Sequence, residues 1–207
     1  MTAHVLPMFP LGSVLFPSVF LPLHVFEPRY RELTRRCLDT DREFGVVLIE
    51  RGSEVGGDDV RTTVGTVAQI VEAAELEDGR WVLGTVGVRK IRITRWLPDD
   101  PFPLAEVEDW DDVAAGADVA ERYEGVLGCL RRVLALKAEL GDPAVDATVE
   151  LTDDPALGSF QAAAVAPLGP ADQQELLLAD GPDARLERLL SLLEEEEGFL
   201  RTRLAMG

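Results

Sequence analysis

His4 and His24 are the only histidines of this 207-residue chain, and Cys37 and Cys129 the only cysteines. Acid–base, thiol and metal chemistry therefore rest on few residues. No HxxxH or CxxC spacing occurs, and two histidines cannot close a zinc site without thiolates or carboxylates arranged around them. His24 stands among apolar and proline neighbours, where a hydrogen-bonded structural histidine is expected rather than a catalytic one. Both cysteines fall on helical pattern among apolar residues, far apart in sequence, so buried free thiols are expected. Asp58-Asp59, Asp99-Asp100 and Asp111-Asp112 pair carboxylates of the kind that do acid–base or Ca²⁺ work. With 38 acidic residues in the chain, such neighbours arise by chance. Gly56-Gly57 lacks the strand-then-helix setting of a phosphate loop. The only lysines, Lys90 and Lys137, follow Arg89 and Leu136, so no Gly-Lys-Ser/Thr motif exists. No catalytic residue, metal or cofactor is assigned.

Binding chemistry is better represented. Arg29, Arg31, Arg35 and Arg36 form a basic cluster at helical spacing, with Arg29 and Arg36 two turns apart and Glu32 between them. Guanidinium groups so placed can take carboxylates of an acidic peptide, or of the acidic second half of this same chain. A second candidate is an apolar groove lined by Phe9, Phe16, Phe20, Phe26 or Trp81, which would accept an apolar segment directly or by edge-strand addition. Most of these aromatics are expected in the core. Trp96 and Trp110, beside Pro98 and Asp109, are expected to be exposed. Arg29, Arg36, Phe26, Trp81 and Trp96 are the binding candidates.

The elements that must position these residues divide the chain in two. Net charge is −18; residues 1–107 hold 12 basic against 16 acidic side chains, and residues 108–207 hold 8 against 22. So acidic a surface repels nucleic-acid backbones and anionic membranes. No run reaches the roughly 18 apolar residues of a membrane span, and the first residues lack a signal peptide's basic start and cleavage site; a cytoplasmic protein is expected. In the first half, Val5–Leu11 and Val19–Val25 are apolar runs broken by prolines, which predicts edge strands. Pro28 opens an amphipathic helix of about three turns. Phe44–Ile49 reads as a buried strand, and Glu50–Thr62 as a mobile loop. Val64–Ala74 and Trp81–Val86 flank an Asp78-Gly79 hairpin signal. Val88–Trp96 alternates, with Val88, Lys90, Arg92 and Thr94 on one face, and Leu104–Val107 adds a last strand. A small closed or half-closed barrel is expected.

The second half reads as helices over Val119–Leu140, Pro155–Ala166, Pro170–Leu178 and from Gly181-Pro182 onward. In the last, Leu186, Leu189, Leu190, Leu193, Leu200 and Leu204 form one stripe. It can bury inside the bundle or pair with a second copy. Glu194–Glu197 reads as a solvated face and disfavours a long parallel coiled coil.

Leu6-Pro7-Met8-Phe9-Pro10-Leu11, Val14-Leu15-Phe16-Pro17, Leu21 to Tyr30 (LPLHVFEPRY), Val64-Gly65-Thr66-Val67-Ala68, Asp78-Gly79-Arg80 and Gly87 to Ile93 (GVRKIRI) follow one another at compatible spacing. Together with the Pro167-Leu168 turn and closing Leu-rich helix, they resemble the N-terminal substrate-binding domain of Lon protease in its short stand-alone bacterial form. Ile91 stands where that family often has an aromatic. The resemblance implies an α+β fold: a PUA-like β pseudo-barrel with one helix over residues 1–110, then a helical bundle over residues 111–207. It also implies recognition of unfolded or degron-bearing polypeptides. The phosphate loop of Lon's ATPase is missing, and none of Ser13, Ser18, Ser53, Ser159 and Ser191 sits in the context of its Ser–Lys protease dyad. The expected role is a non-catalytic peptide- or protein-binding module, an adaptor for a separate ATP-dependent protease. The alternative is a small-molecule or RNA binder on a PUA-like barrel.

Overall fold

In the computed structural model, which describes residues 3–51 and 60–206, the fold is α+β. Two compact units, Met1–Asp111 and Asp112–Gly207, divide it. Gly56-Gly57, Asp58-Asp59 and Ser53 lie outside the described residues. Of the expected loop Glu50–Thr62, residues 52–59 lie outside the described residues, and the remainder is strand: Glu50 and Arg51 end one strand, and Val60 to Thr62 begin the next.

The first unit contains β1 (His4–Leu11), β2 (Phe20–Val25), α1 (Pro28–Leu38), β3 (Glu43–Arg51), β4 (Val60–Glu75), β5 (Trp81–Leu97) and β6 (Leu104–Asp109). The strands lie in the order β2-β5-β4-β3-β1-β6, and β6 also pairs with β5. The pairings of β5, β4, β3, β1 and β6 thus run in a ring, which leaves few exposed strand edges. Every ring strand contributes to one apolar cluster, including Leu6, Met8, Val47, Val67, Ile91, Ile93, Ala105 and Val107. A second cluster lies under α1 and joins Phe9, Leu11, Tyr30, Leu33, Phe44, Ile70 and Leu83.

The proline-rich β1 is not an edge strand. Its first half, His4–Pro7, pairs antiparallel with β6; its second half, Met8–Leu11, pairs in parallel with β3. The Met8 N–H donates to Pro103 O at 2.8 Å, on the β6 side. Since alternate residues address opposite neighbours, Pro10 points past the end of β6 and Pro7 points toward β3 before that pairing starts. Neither position needs an N–H, so proline is tolerated inside the sheet. β2, with Pro22 at its centre, is the edge strand that the prolines predict, pairing with β5.

Trp81–Val86 and Val88–Trp96 are one long strand with a register shift near Val88. From Arg89 on, the expected alternation holds, with Lys90 and Arg92 on one face and Ile91 and Ile93 in the core; Lys90 is nonetheless only 3% exposed. Its ammonium lies 4.3 Å from the Trp110 ring, and the Trp110 N–H donates to Lys90 O. Gly79, at φ 76°, supplies the left-handed residue of the β4–β5 turn.

The second unit holds α2 (Val119–Glu139), α3 (Pro155–Val165), α4 (Pro170–Leu178) and α5 (Pro182–Met206). The last three begin on proline, whose missing N–H costs nothing in a first turn. Arg122–Asp183, Arg132–Glu197 and Arg203–Asp142 ion pairs show that α2 and α5 run in the same direction. Leu186, Leu189, Leu193 and Leu200 of the expected stripe are buried, joined by Leu192, while Leu204 is exposed. The Glu194–Glu197 run is not wholly solvated. Glu197 is 7% exposed and accepts hydrogen bonds from Arg132 and from the Cys129 thiol, with Arg201 also paired to it.

Arg185 ties this unit together with no exposed surface. It donates to Leu176 O at 3.2 Å, Ser159 Oγ at 2.8 Å and Asp112 Oδ2 at 2.7 Å, and its guanidinium stacks 3.5 Å from the Phe160 ring. One side chain thus binds α5, α4, α3 and the connector, and Asp112 of the Asp111-Asp112 pair is a structural counter-ion. Removing one partner of a buried ion pair leaves the other's desolvation uncompensated. Arg185→Met is expected to lose about 3 kcal/mol of stability, read as a fall in the urea midpoint with unchanged slope. Glu197 offers a pH test. Arg132 holds its carboxyl below the ordinary range, so its contribution is full above about pH 4.5 and is lost as pH falls through the depressed folded value. Glu197→Gln should cost about 1–2 kcal/mol at neutral pH, and the gap to the parent should close in acid denaturation profiles.

Candidate functional site

In the first unit, β2 runs straight into α1 through Phe26 and Glu27, and this junction forms the site. Alternation along β2 sends Leu21, Leu23 and Val25 toward the cluster under α1 and Phe20, Pro22 and His24 outward. Pro28 at the first helical position then turns the chain into α1, which buries Tyr30, Leu33, Thr34 and Cys37. Arg35 and Arg36 in its last turn favour the helix dipole.

A pocket of about 210 Å³ opens here, lined by Phe9, Leu11, Pro22, Leu23, His24, Val25, Phe26, Glu27 and Tyr30. Phe9 and Tyr30 stack with ring centroids 4.1 Å apart and planes 12° apart, and Phe9 also meets Phe44 at 5.9 Å. Arg29 lies 4.5 Å over the Tyr30 ring and pairs with Glu27 at 3.0 Å. Phe26 is 56% exposed. The volume exceeds the roughly 150 Å³ cavity that takes benzene and falls short of the roughly 300–1,000 Å³ of small-molecule sites. It suits one aromatic or aliphatic side chain.

Of the five binding candidates, the structure brings Phe26 to this pocket and Arg29 to its flank. Arg36 is exposed in the last turn of α1, outside the pocket lining. Arg35 is ion-paired with Glu75 and Glu32. Trp81 is half-buried against the cluster under α1, and Trp96 packs against the ring cluster beneath Arg61 at 4.7 Å. Trp110 is half-buried too, with Arg92 at 4.4 Å and Lys90 against its ring. The two tryptophans expected outside are therefore covered by cations, and Trp110 is not a free stacking platform for a base. Phe9 and Phe16 are core, whereas Phe20 is 58% exposed. His24, expected as a structural histidine, is an exposed rim residue. Tyr30 and Glu27 were missing from the candidates; their proximity to Phe26 in sequence and the helical turn between them were the available signal.

The thiols lack the character of nucleophiles. Burial pushes Cys37 up to about 12, and its Sγ donates to Glu43 O. Burial, then the Glu197 carboxylate, pushes Cys129 up to about 11. Among the described residues, no group of three His, Cys, Asp or Glu side chains is placed to hold a metal ion, and no helix is long and apolar enough to cross a membrane.

The two arginines at the ends of the cluster should behave differently. Arg29→Ala removes a charge-assisted bond and a ring contact and is expected to cost about 1–2 kcal/mol. Arg36→Ala should stay within about 0.5 kcal/mol of the parent. Urea unfolding of both variants separates a positioning arginine from a surface one.

A family model described as the ATP-dependent protease La (LON) substrate-binding domain matches residues 5–195. Lon protease 2 of Herpetosiphon aurantiacus is 29% identical over 195 residues, covering 92% of this chain and 24% of that protein. Lon protease of Cytophaga hutchinsonii is 29% identical over 199 residues, covering 93% of this chain and 24% of that protein. This chain thus spans about a quarter of the length of these curated relatives. Among solved structures, a Lon N-terminal domain protein from Xanthomonas campestris superposes with TM-score 0.64 at 32% identity, covering 91% of this chain and 98% of that one. The N-terminal domain of Mycobacterium avium complex Lon protease superposes with TM-score 0.68 at 15% identity, covering 92% and 98%, a likeness of fold alone.

Proposed function

The chain belongs to the Lon protease substrate-binding domain family, and from that premise we propose that it is a non-catalytic module that captures exposed apolar side chains of unfolded or degron-bearing polypeptides. The observation that carries this reading is the pocket walled by Phe9, Tyr30 and the exposed Phe26. An unfolded segment differs from a folded surface chiefly in offering apolar side chains to solvent, and a slot sized for one such side chain discriminates on that difference.

Side-chain capture is favoured over strand addition. β2 is an edge, yet Pro22 at its centre has no N–H to offer an added strand. The pocket instead receives a side chain while Phe26 folds against it. Burying one aromatic removes about 150–250 Å² from water, worth about 4–6 kcal/mol before the costs of association. A single contact is therefore weak, and a client gains affinity by presenting several apolar residues in turn. Weak, repeatable capture fits an adaptor that hands clients to a separate ATP-dependent protease. The ring of strand pairings supports a PUA-like pseudo-barrel over residues 1–110, and the four helices support a bundle over residues 111–207.

Fluorescence anisotropy with an unstructured peptide carrying several Phe and Leu residues tests the reading. The parent should bind in the high-micromolar range, and Phe26→Asp should weaken binding at least about tenfold with an unchanged thermal midpoint. Equal binding by the variant, or none by the parent at high micromolar peptide, contradicts it.

A further inference from the structure

Beyond that reading, we propose that the α2/α5 face of the second unit is a docking groove for a basic amphipathic helix of a partner protein. The two parallel helices leave a groove of about 560 Å³ beside Gly125. A Cβ built on Gly125 would meet nothing within 4 Å, so the glycine keeps the groove open without any packing need for its small size. Leu190, half-buried, supplies the accessible apolar lining, over the fully buried Leu186.

The groove's charge names its occupant. Asp118, Glu121, Glu187 and Glu194 line it against one cation, Arg122, which is itself paired with Asp183 at 3.7 Å. Among the described residues, none of those four carboxylates is held in an ion pair. Asp118 and Glu121 also complement the positive end of α2, but Glu194 stands three turns into α5, beyond the reach of any helix terminus. A ligand that satisfies Leu190 below and carboxylates above is a helix with Leu-sized residues on one face and Lys or Arg along its flanks. A second copy of this chain does not fit. In residues 108–207, seven of the 8 basic side chains, Arg122, Arg132, Lys137, Arg185, Arg188, Arg201 and Arg203, are already ion-paired. In the first unit the basic helix α1 already spends its apolar face, Tyr30, Leu33 and Cys37, on its own core.

The probe is a fluorescein-labelled amphipathic Leu/Lys peptide of about 15 residues, long enough to hold a helix when bound, titrated against the full chain. A same-composition peptide with its apolar face scrambled is the control. The amphipathic peptide should bind at least about tenfold tighter than the scrambled one and weaken with salt. Gly125→Leu fills the groove at a position open to a side chain and replaces a poor helix former, so binding should be lost while the thermal midpoint holds or rises. Glu187→Lys/Glu194→Lys, two exposed positions, should also reduce binding at least about tenfold. Phe26→Asp should leave it unchanged, which separates this groove from the first unit's pocket. Equal binding of the scrambled peptide, or parent-like binding by both groove variants, overturns the proposal, as does concentration-dependent self-association that the groove variants abolish.

Discussion

The first unit depends on β1 being held from both sides. One strand must fill two apolar clusters, and alternation does this directly. Leu6 and Met8 enter the ring while Phe9 and Leu11 face α1. Its halves take different neighbours, β6 and then β3, so β1 both closes the ring and sets the height of Phe9. Phe9 in turn is the surface on which Tyr30 stacks, and Tyr30 fixes the first turn of α1. The pocket is what this chain of contacts leaves between β2 and α1. Phe26 stays exposed because the two-residue passage from β2 to the proline-opened helix leaves it no buried position.

The second unit is organised by charge as well as by leucine. Asp112 holds Arg185 in its buried place, although burial draws the guanidinium's pKa below its ordinary value. Buried pairs of this type are costly to desolvate and costlier to break, so they fix a geometry more than they add net stability. Glu197 acts similarly between α2 and α5, gathering Arg132, Arg201 and the Cys129 thiol. Most of this unit's other carboxylates are exposed, and together they give it a strong negative field.

Much of the fold was legible because local chemistry and structure agree. Pro28, Pro155, Pro170 and Pro182 each open a helix where the sequence pattern places one, and Asp78-Gly79 makes the turn it advertises. What escaped were effects of distant partners. Prolines argue against an internal strand, but β1 is internal because each neighbour covers only half of it. Lys90 belongs by alternation to an outer face, yet the Trp110 ring lies against it and it is buried. Glu197 reads as one of four solvated charges until Arg132, 65 residues away, reaches it. The site was partly legible. Phe26 sits beyond the last alternating residue of β2 with a helix-opening proline two residues on, which marks a junction. Tyr30 as its wall requires knowing that Phe9 lies beneath. Trp96 and Trp110 looked exposed from their connecting segments, but Arg61, Lys90 and Arg92 cover them.

The central claim is that apolar client side chains enter between Phe26 and Tyr30. The most direct measurement is a titration of the ¹⁵N-labelled chain with an unstructured Phe-bearing peptide, followed by amide chemical shifts. The account predicts saturable shifts concentrated on His24 to Tyr30 and on Phe9 to Leu11, absent with a peptide whose Phe residues are replaced by Ser. Shifts confined to residues away from this junction, or identical shifts with the Ser peptide, would contradict it.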